Sequence, residues 1–400
     1  MSKPPAAETA GRLPAIDILR GAAMVLMALD HTRDYLTNVP FEPEDLQHTW
    51  GALFLTRWLT HFCAPLFFFL AGTGAFYYGL RRTKAELRRF LWSRGLWLIA
   101  LEFTVVGFAW TFVAPWGFFG VIWCLGASML LLAPLVGLRT RWIAILSALA
   151  IAAHGLSDTV RPQAFGAGAW IWSLLHVKGG ANILGWHTFV LFPLVPWCAV
   201  MALGYAYGAL LQRPDARRWT LRIGTAATML FIVLRLSNAY GNPPALPGGV
   251  SPGDWSTQET FAKTAILFLD TEKYPPSLQF LLMTLGPSLL GLGWLLGPMP
   301  TPTTKLLRPL AVFGRVPLFF YVLHLYLIHG AAVLIAVACN QPWTWLLHGA
   351  FWFQDAPAGY GHGLPFVWAT WIAVTVLLYL PCSWFARQKA ARRSAWLSYL

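Results

Sequence analysis

The sequence predicts an all-α polytopic membrane protein: a single bundle of about ten transmembrane helices with both termini in the cytoplasm. Three observations carry that expectation. The 400 residues are 57% hydrophobic and only 11% charged, whereas soluble domains hold about 25% charged residues. Ten apolar stretches follow one another, most near the length of about 20 residues that crosses a bilayer. Finally, the groups Lys3/Arg12, Arg81–Arg94, Arg139/Arg141, Arg213–Arg222, Lys305–Arg315 and Arg387–Arg393 hold 21 of the 29 Lys and Arg residues and alternate with acidic or neutral loops. Short loops rich in Lys and Arg stay cytoplasmic. The same alternation accounts for the net charge of +13 without nucleic acid, because the basic residues are spread over loops that meet anionic headgroups.

The spans follow in order. The first, 14–36, begins at Pro14, runs apolar from Ala22 to Leu29 and ends in Asp30-His31-Thr32-Arg33-Asp34. The second, 53–79, contains Pro65, which lacks an N–H and leaves the carbonyl of His61 without its helical partner. Spans at 92–113 and 117–138 precede a short one at 142–157 that reads as tilted or re-entrant. Residues 165–181, with Trp170, Trp172 and Trp186 close by, fit an interfacial helix on the outer side. Spans at 187–211, 221–240, 277–297, 309–338 and 364–386 complete the bundle, and 22 tryptophans suit its aromatic belts. The longest polar insert, 241–276, is rich in Pro and Gly at its start and ends at Asp270–Ser277; loops of that length are commonly functional.

The expected organisation is a cytoplasmic tail at 1–12, a membrane domain at 13–386 with 241–276 on the outer side, and a basic cytoplasmic tail at 387–400. No cleavable signal peptide is expected, since the first twelve residues are polar and the first apolar run carries charges. The five cysteines form no C-x-x-C pair and read as small buried hydrophobes. No internal repeat is visible, which argues against an inverted-repeat transporter.

Ionisable residues inside spans are costly and mark function or pairing. The ten histidines avoid the basic loops and gather in or near the outer half. A side chain that titrates near neutral pH, collected at one face, points to chemistry. On the first span, Asp17, Arg20 and His31 fall within an arc of roughly 60°, and Asp17 and Arg20 can pair. Asp30 adjoins His31 and is expected to orient its ring. Arg57 and His61 are four apart and share a face. His48, in the acidic loop Glu42–His48, is either a site residue or an exposed side chain. Tyr321 and His324 share a face of the ninth span, with His329 on another. Arg235 is an intramembrane charge in need of a partner. His154, His176, His187, His348 and His362 lie at outer ends or in loops, where a solvated side chain is the ordinary reading.

Two of these segments carry a family pattern. Ile16-Asp17-Ile18-Leu19-Arg20-Gly21 and Pro65-Leu66-Phe67-Phe68-Phe69-Leu70-Ala71-Gly72 resemble the opening and second-span motifs of the heparan-alpha-glucosaminide N-acetyltransferase catalytic-domain family. Tyr274–Pro287 and Val312–His329 resemble its bacterial members. The resemblance implies a transmembrane acetyltransferase of a bacterial inner membrane that moves an acetyl group from acetyl-CoA onto an amino sugar. It also implies a catalytic pair, an Asn after the first span and a His before the second. Counting from the motif arginine puts His31 at the Asn position; counting back from Pro65 puts the family histidine at Gly51, three residues from His48. His61 falls where the lysosomal enzyme carries an Asp, so the site identities differ from the family pattern.

The expected function is therefore acyl transfer from acetyl-CoA, or another short acyl-CoA, to an amine or hydroxyl of a sugar or glycan on the periplasmic side. His31 or His61 would be the base, Asp30 the group orienting His31, Arg57 the stabiliser of the oxyanion, and His48 a further catalytic candidate. Arg20, Arg235, Tyr321 and His324 are the candidates for donor binding. No metal is expected. The implied partners are the lipid bilayer, acyl-CoA, the glycan acceptor and, as one oligomeric arrangement, a second copy of the chain; nucleic acid is not among them. A proton-coupled transporter and a non-catalytic scaffold are the competing classes. The first would show solute flux without acyl product, the second indifference to loss of His31 and His61. For topology, a reporter fused at Leu400 should read cytoplasmic and one near Gly249 should read external; a cytoplasmic signal near Gly249 would overturn the span order.

Overall fold

The computed structural model describes residues 13–113, 117–243, 253–348 and 356–392. The tail expected at 1–12, residues 393–400 of the tail expected at 387–400, and residues 244–252 of the loop expected on the outer side lie outside the described residues.

Helix α1 (Pro14–Leu36) has the bounds that its apolar run predicts. The second span is two helices, α2 (Gly51–Thr60) and α3 (Cys63–Gly79), with a turn at His61–Phe62; the break falls where Pro65 withholds a donor from the His61 carbonyl. Helix α4 (Lys84–Leu101) starts at a reciprocal cap between Thr83 and Glu86. It continues through a π-helical turn, Glu102–Val106, into α5 (Gly107–Thr111). There follow β1 (Gly117–Phe119), α6 (Val121–Leu135), α7 (Thr140–Ala153), α8 (Ala169–His176), β2 (Gly179–Ile183), β3 (Trp186–Val190), α9 (Leu194–Leu210) and α10 (Ala216–Ser237). The last elements are α11 (Phe261–Leu269), α12 (Leu278–Leu295), α13 (Thr301–Arg315), α14 (Pro317–Ala338) and α15 (Leu364–Ala391).

The chain is thus an all-α membrane protein with a small sheet. Among the described residues, seven helical segments are long and apolar enough to cross a bilayer: Gly51–Gly79, Lys84–Thr111, Thr140–Ser157, Ala216–Ser237, Leu278–Leu295, Pro317–Ala338 and Leu364–Ala391. The other three predicted spans correspond to α1, which carries Asp17, Arg20, Asp30, Arg33 and Asp34, and to the shorter α6 and α9. Helices α7, α10 and α15 turn Leu149, Val233 and Leu380 outward, an apolar surface suited to lipid.

Four expectations are corrected. Residues 165–181 are not one helix: α8 ends at His176, and Gly179, with φ 138°, turns the chain into β2. Strand β2 pairs antiparallel with β3 through a turn at Leu184-Gly185, and β1 joins β3 in parallel. The first residues of the predicted spans 117–138 and 187–211 are accordingly strand. The predicted span 309–338 is also two helices. Pro317 excludes the residue before it from helical geometry, and Val316 (φ −132°, ψ 51°) separates α13 from α14. Cys339, expected buried, is exposed.

Helices approach closely wherever glycine faces a neighbouring backbone. A Cβ on Gly21 would lie 1.8 Å from the Leu310 carbonyl oxygen, and one on Gly314 1.8 Å from that of Asp17, so α1 and α13 touch backbone to backbone. Across α3 and α9, Gly72 faces Met201 and Gly204 faces Phe69 in the same way, and Thr73 Oγ1 donates to the Gly204 carbonyl at 3.0 Å. Gly21→Ala should therefore lower stability by about 2 kcal/mol or more, the upper part of the overpacking range. Gly291→Ala, where an added Cβ meets nothing within 4 Å, should leave it unchanged or raised. Thermal unfolding of both variants in detergent checks the contrast.

Candidate functional site

A cavity of about 190 Å³ opens where the C-terminal half of α1 meets the α2–α3 break, the loop before α2 and residues 270–274. The charged residues there are knitted together by Arg57. Its Nη1 donates to Asp30 Oδ2 at 2.7 Å and to Oδ1 at 3.0 Å, and its Nε donates to Glu44 Oε1 at 2.8 Å. Arg33 Nη2 donates to the same Asp30 at 3.1 Å and to Asp34 at 2.6 Å. Three separate pieces of chain are joined by this network: the end of α1, the loop before α2, and α2 itself. Each carboxylate at its centre is shared or doubly held, as buried charge requires.

Two histidines line the cavity. His61, 2% exposed, donates through Nε2 to Glu44 Oε1 at 3.2 Å, and its buried Nδ1 finds no partner among the described residues. His31 is half-buried, and its Nδ1 lies 2.7 Å from Nε2 of His324, which stands behind it on α14. Trp110 meets the His31 ring edge-on at 4.7 Å. Tyr321 also lines the cavity. At the cavity floor Met27, Ala64, Phe67, Val121 and Leu191 are apolar, while Glu102 caps α6 by accepting from Trp123 N at 2.7 Å.

The other sequence candidates lie elsewhere or face other partners. Asp30, expected to orient His31, turns to Arg57 and Arg33 instead. Arg57, expected as a free oxyanion stabiliser, has its Nε and Nη1 engaged by carboxylates. The loop before α2 folds inward through Glu42 and Glu44, leaving His48 exposed and paired with Asp45 at 2.7 Å. Arg20 donates to the Gly314 carbonyl at 3.0 Å, at the α1–α13 crossing. Arg235 is fully buried and donates to the carbonyls of Gly253, Leu267, Phe268 and Asp270 at 2.6–2.9 Å. It thereby ties down the segment that leads into Thr271–Tyr274 at the cavity wall.

Sequence reasoning missed Glu44, Glu102, Lys178, Asp270, Glu272 and Lys273, all of which line the cavity. Two signals were available. Glu42–His48 and Asp270–Ser277 are charge-dense runs in a chain with little charge, and both enter the site. Burial opposes ionisation of Glu44, yet the Arg57 guanidinium and the His61 hydrogen bond outweigh it and hold its carboxyl well below the usual range. Asp270 goes the other way: burial and then the nearby Glu44 and Glu272 push its carboxyl well above the usual range.

These opposite shifts fix opposite pH effects. A depressed folded-state pKa stabilises the fold above the unfolded value and is lost as pH falls; a raised one destabilises as pH climbs past the unfolded value. Glu44→Gln should therefore lower the melting temperature at pH 7, with the deficit shrinking below the ordinary Glu range. Asp270→Asn should raise it, more at pH 8 than at pH 4. Melting curves across that range check both signs.

A sequence profile described as heparan-alpha-glucosaminide N-acetyltransferase, catalytic, matches residues 12–239, more than half of the chain. The match takes in α1 to α10 and with them His31, Glu44, Arg57 and His61. No curated protein matches the sequence.

Proposed function

Because the chain belongs to the heparan-alpha-glucosaminide N-acetyltransferase catalytic-domain family, a family of membrane acetyltransferases, we propose that it moves an acetyl group from acetyl-CoA to a sugar or glycan amine on the outer side of a bacterial cytoplasmic membrane. The observation that carries this reading is a buried cavity, lying largely within the matched region, that holds two imidazoles beside a fixed ion network. Its lining includes seven acidic side chains (Asp30, Asp34, Glu42, Glu44, Glu102, Asp270, Glu272) against four cations (Arg33, Arg57, Lys178, Lys273), an excess that remains with Asp270 held toward its neutral form. Such a lining attracts an ammonium group and repels the phosphates of CoA, which supports an amine over a hydroxyl acceptor.

The donor's phosphates then belong at the opposite, basic end. There Arg308, Arg315 and Arg387 line a groove of about 210 Å³ between α13 and α15, beside the Arg20–Gly314 contact. His31 lies fourteen positions beyond Asp17 on α1, about 21 Å at 1.5 Å per residue. The pantetheine arm would bridge that span to bring the acyl carbon to the cavity. The bound ammonium first gives up one proton to solvent; the resulting amine nitrogen attacks the thioester carbonyl, a C–N bond forms and the C–S bond breaks. One N–H proton passes through His31 to the departing sulfur. His61, held by Glu44, adds a second imidazole to the cavity wall that receives the acceptor.

Acyl transfer by purified protein from radiolabelled acetyl-CoA to a panel of amino sugars and their hydroxyl analogues tests the proposal. Transfer to amines is expected. His31→Ala and His61→Ala should each reduce it by about 10²-fold or more, with elution on gel filtration unchanged, and His48→Ala should cost less than either. Solute uptake into proteoliposomes without any acyl product would replace this reading with the transporter.

A further inference from the structure

His324 is wholly buried on α14, and its hydrogen bonds settle its protonation. Its Nδ1 lies 3.1 Å from the carbonyl oxygen of Phe320. A carbonyl only accepts, so Nδ1 carries the hydrogen, and Nε2 of the neutral ring is a lone pair. That lone pair is 2.7 Å from His31 Nδ1, which must therefore be the donor. The two rings are inclined by only 18° with centroids 4.9 Å apart. Together with the short nitrogen separation, this places them end to end in nearly one plane, the arrangement of an N–H···N bond rather than of stacked faces. With Nδ1–H committed to His324, Nε2 of His31 is the unprotonated nitrogen. No partner to it occurs among the described residues, and His31 lines the cavity.

We propose that His324 is a positioning residue that locks His31 in the Nε2-basic tautomer and presents that lone pair to the cavity. A neighbouring carboxylate could set the same tautomer, but Asp30 is held by two arginines. Using an imidazole instead fixes the ring without adding a further buried negative charge at that depth. In the reaction, His31 Nε2 accepts the N–H proton of the attacking amine. The imidazolium so formed keeps its Nδ1–H bond to His324, whose own Nδ1–H stays anchored on Phe320. The same Nε2 then protonates the departing thiolate, returning the pair to its starting state with no net proton gained or lost.

This inference rests on the acyl-transfer reading for its chemistry but not for its tautomer, and the test separates the two. Nitrogen-15 spectra of histidine-labelled protein in detergent should show His31 protonated at Nδ1 and bare at Nε2. His324→Leu should give a mixed or reversed tautomer, with kcat lower by about 10²-fold or more, as when the tautomer-setting group of a catalytic histidine is removed, and KM for both substrates unchanged. His324→Gln, whose amide oxygen can take the place of Nε2 as acceptor, should restore the tautomer and most of kcat. An Nε2–H tautomer in the parent protein, a His324→Leu protein with full kcat, or a folded His324→Gln protein no better than Leu would each overturn the proposal. A correct tautomer in a protein that transfers no acyl group would instead count against the acyl-transfer reading and leave the histidine pair standing.

Discussion

The guanidinium of Arg57 sits between Asp30 on α1 and Glu44 in the loop before α2, and the geometry of the cavity depends on that pairing. A lone Arg, Asp or Glu at this depth would be strongly destabilising. Held together at 2.7–3.0 Å, they fix the distance between two helices and pull an otherwise solvated loop under cover. The position of His61 follows, because Glu44 also receives its Nε2. So does the orientation of Asp30, which is turned away from the histidine next to it in sequence. The role that adjacency suggested for Asp30 passes to a residue 293 positions away.

The two family motifs work through shape. In the opening motif, Arg20 bonds the Gly314 carbonyl, while Gly21 lets the Leu310 backbone lie against α1. In the second, Pro65 sets the α2–α3 break and Gly72 admits the α9 backbone. Neither motif supplies a polar group to the cavity apart from the break at His61. They set the scaffold in which the C-terminal end of α1 and α2 face each other across the cavity. This explains how the motifs can match the family while the residues at the counted catalytic positions do not.

Much of the fold was legible in the sequence because the signals are local. Apolar length is a property of short windows, and α1 emerges at its predicted bounds. Proline at 65 and its consequence at His61 were equally local. What escaped depends on contacts between distant segments. The strand pairing of 117–119 with 188–190 is invisible in a three-residue strand. Val316 separates two helices within what reads as one apolar run. Arg57 and His61 could be seen to share a face, but their carboxylate partner Glu44 lies in a loop, and no spacing rule connects it to them. Arg235 could be recognised as a charge needing a partner; that most of its partners are main-chain carbonyls could not.

The manner in which Arg235 holds the segment beside the cavity bears on how such a protein could diversify. It grips main-chain oxygens of Gly253, Leu267, Phe268 and Asp270, atoms that every amino acid possesses. Substitution at most of those positions leaves the grip intact so long as the backbone keeps its path. The wall at 271–274 is thus suspended from an anchor that is indifferent to the side chains between. Variation can accumulate along that strap, altering what the cavity admits, while the depth and orientation of the histidines remain governed by other parts of the bundle. Recognition and chemistry are mechanically separable here, and one arginine is the joint between them.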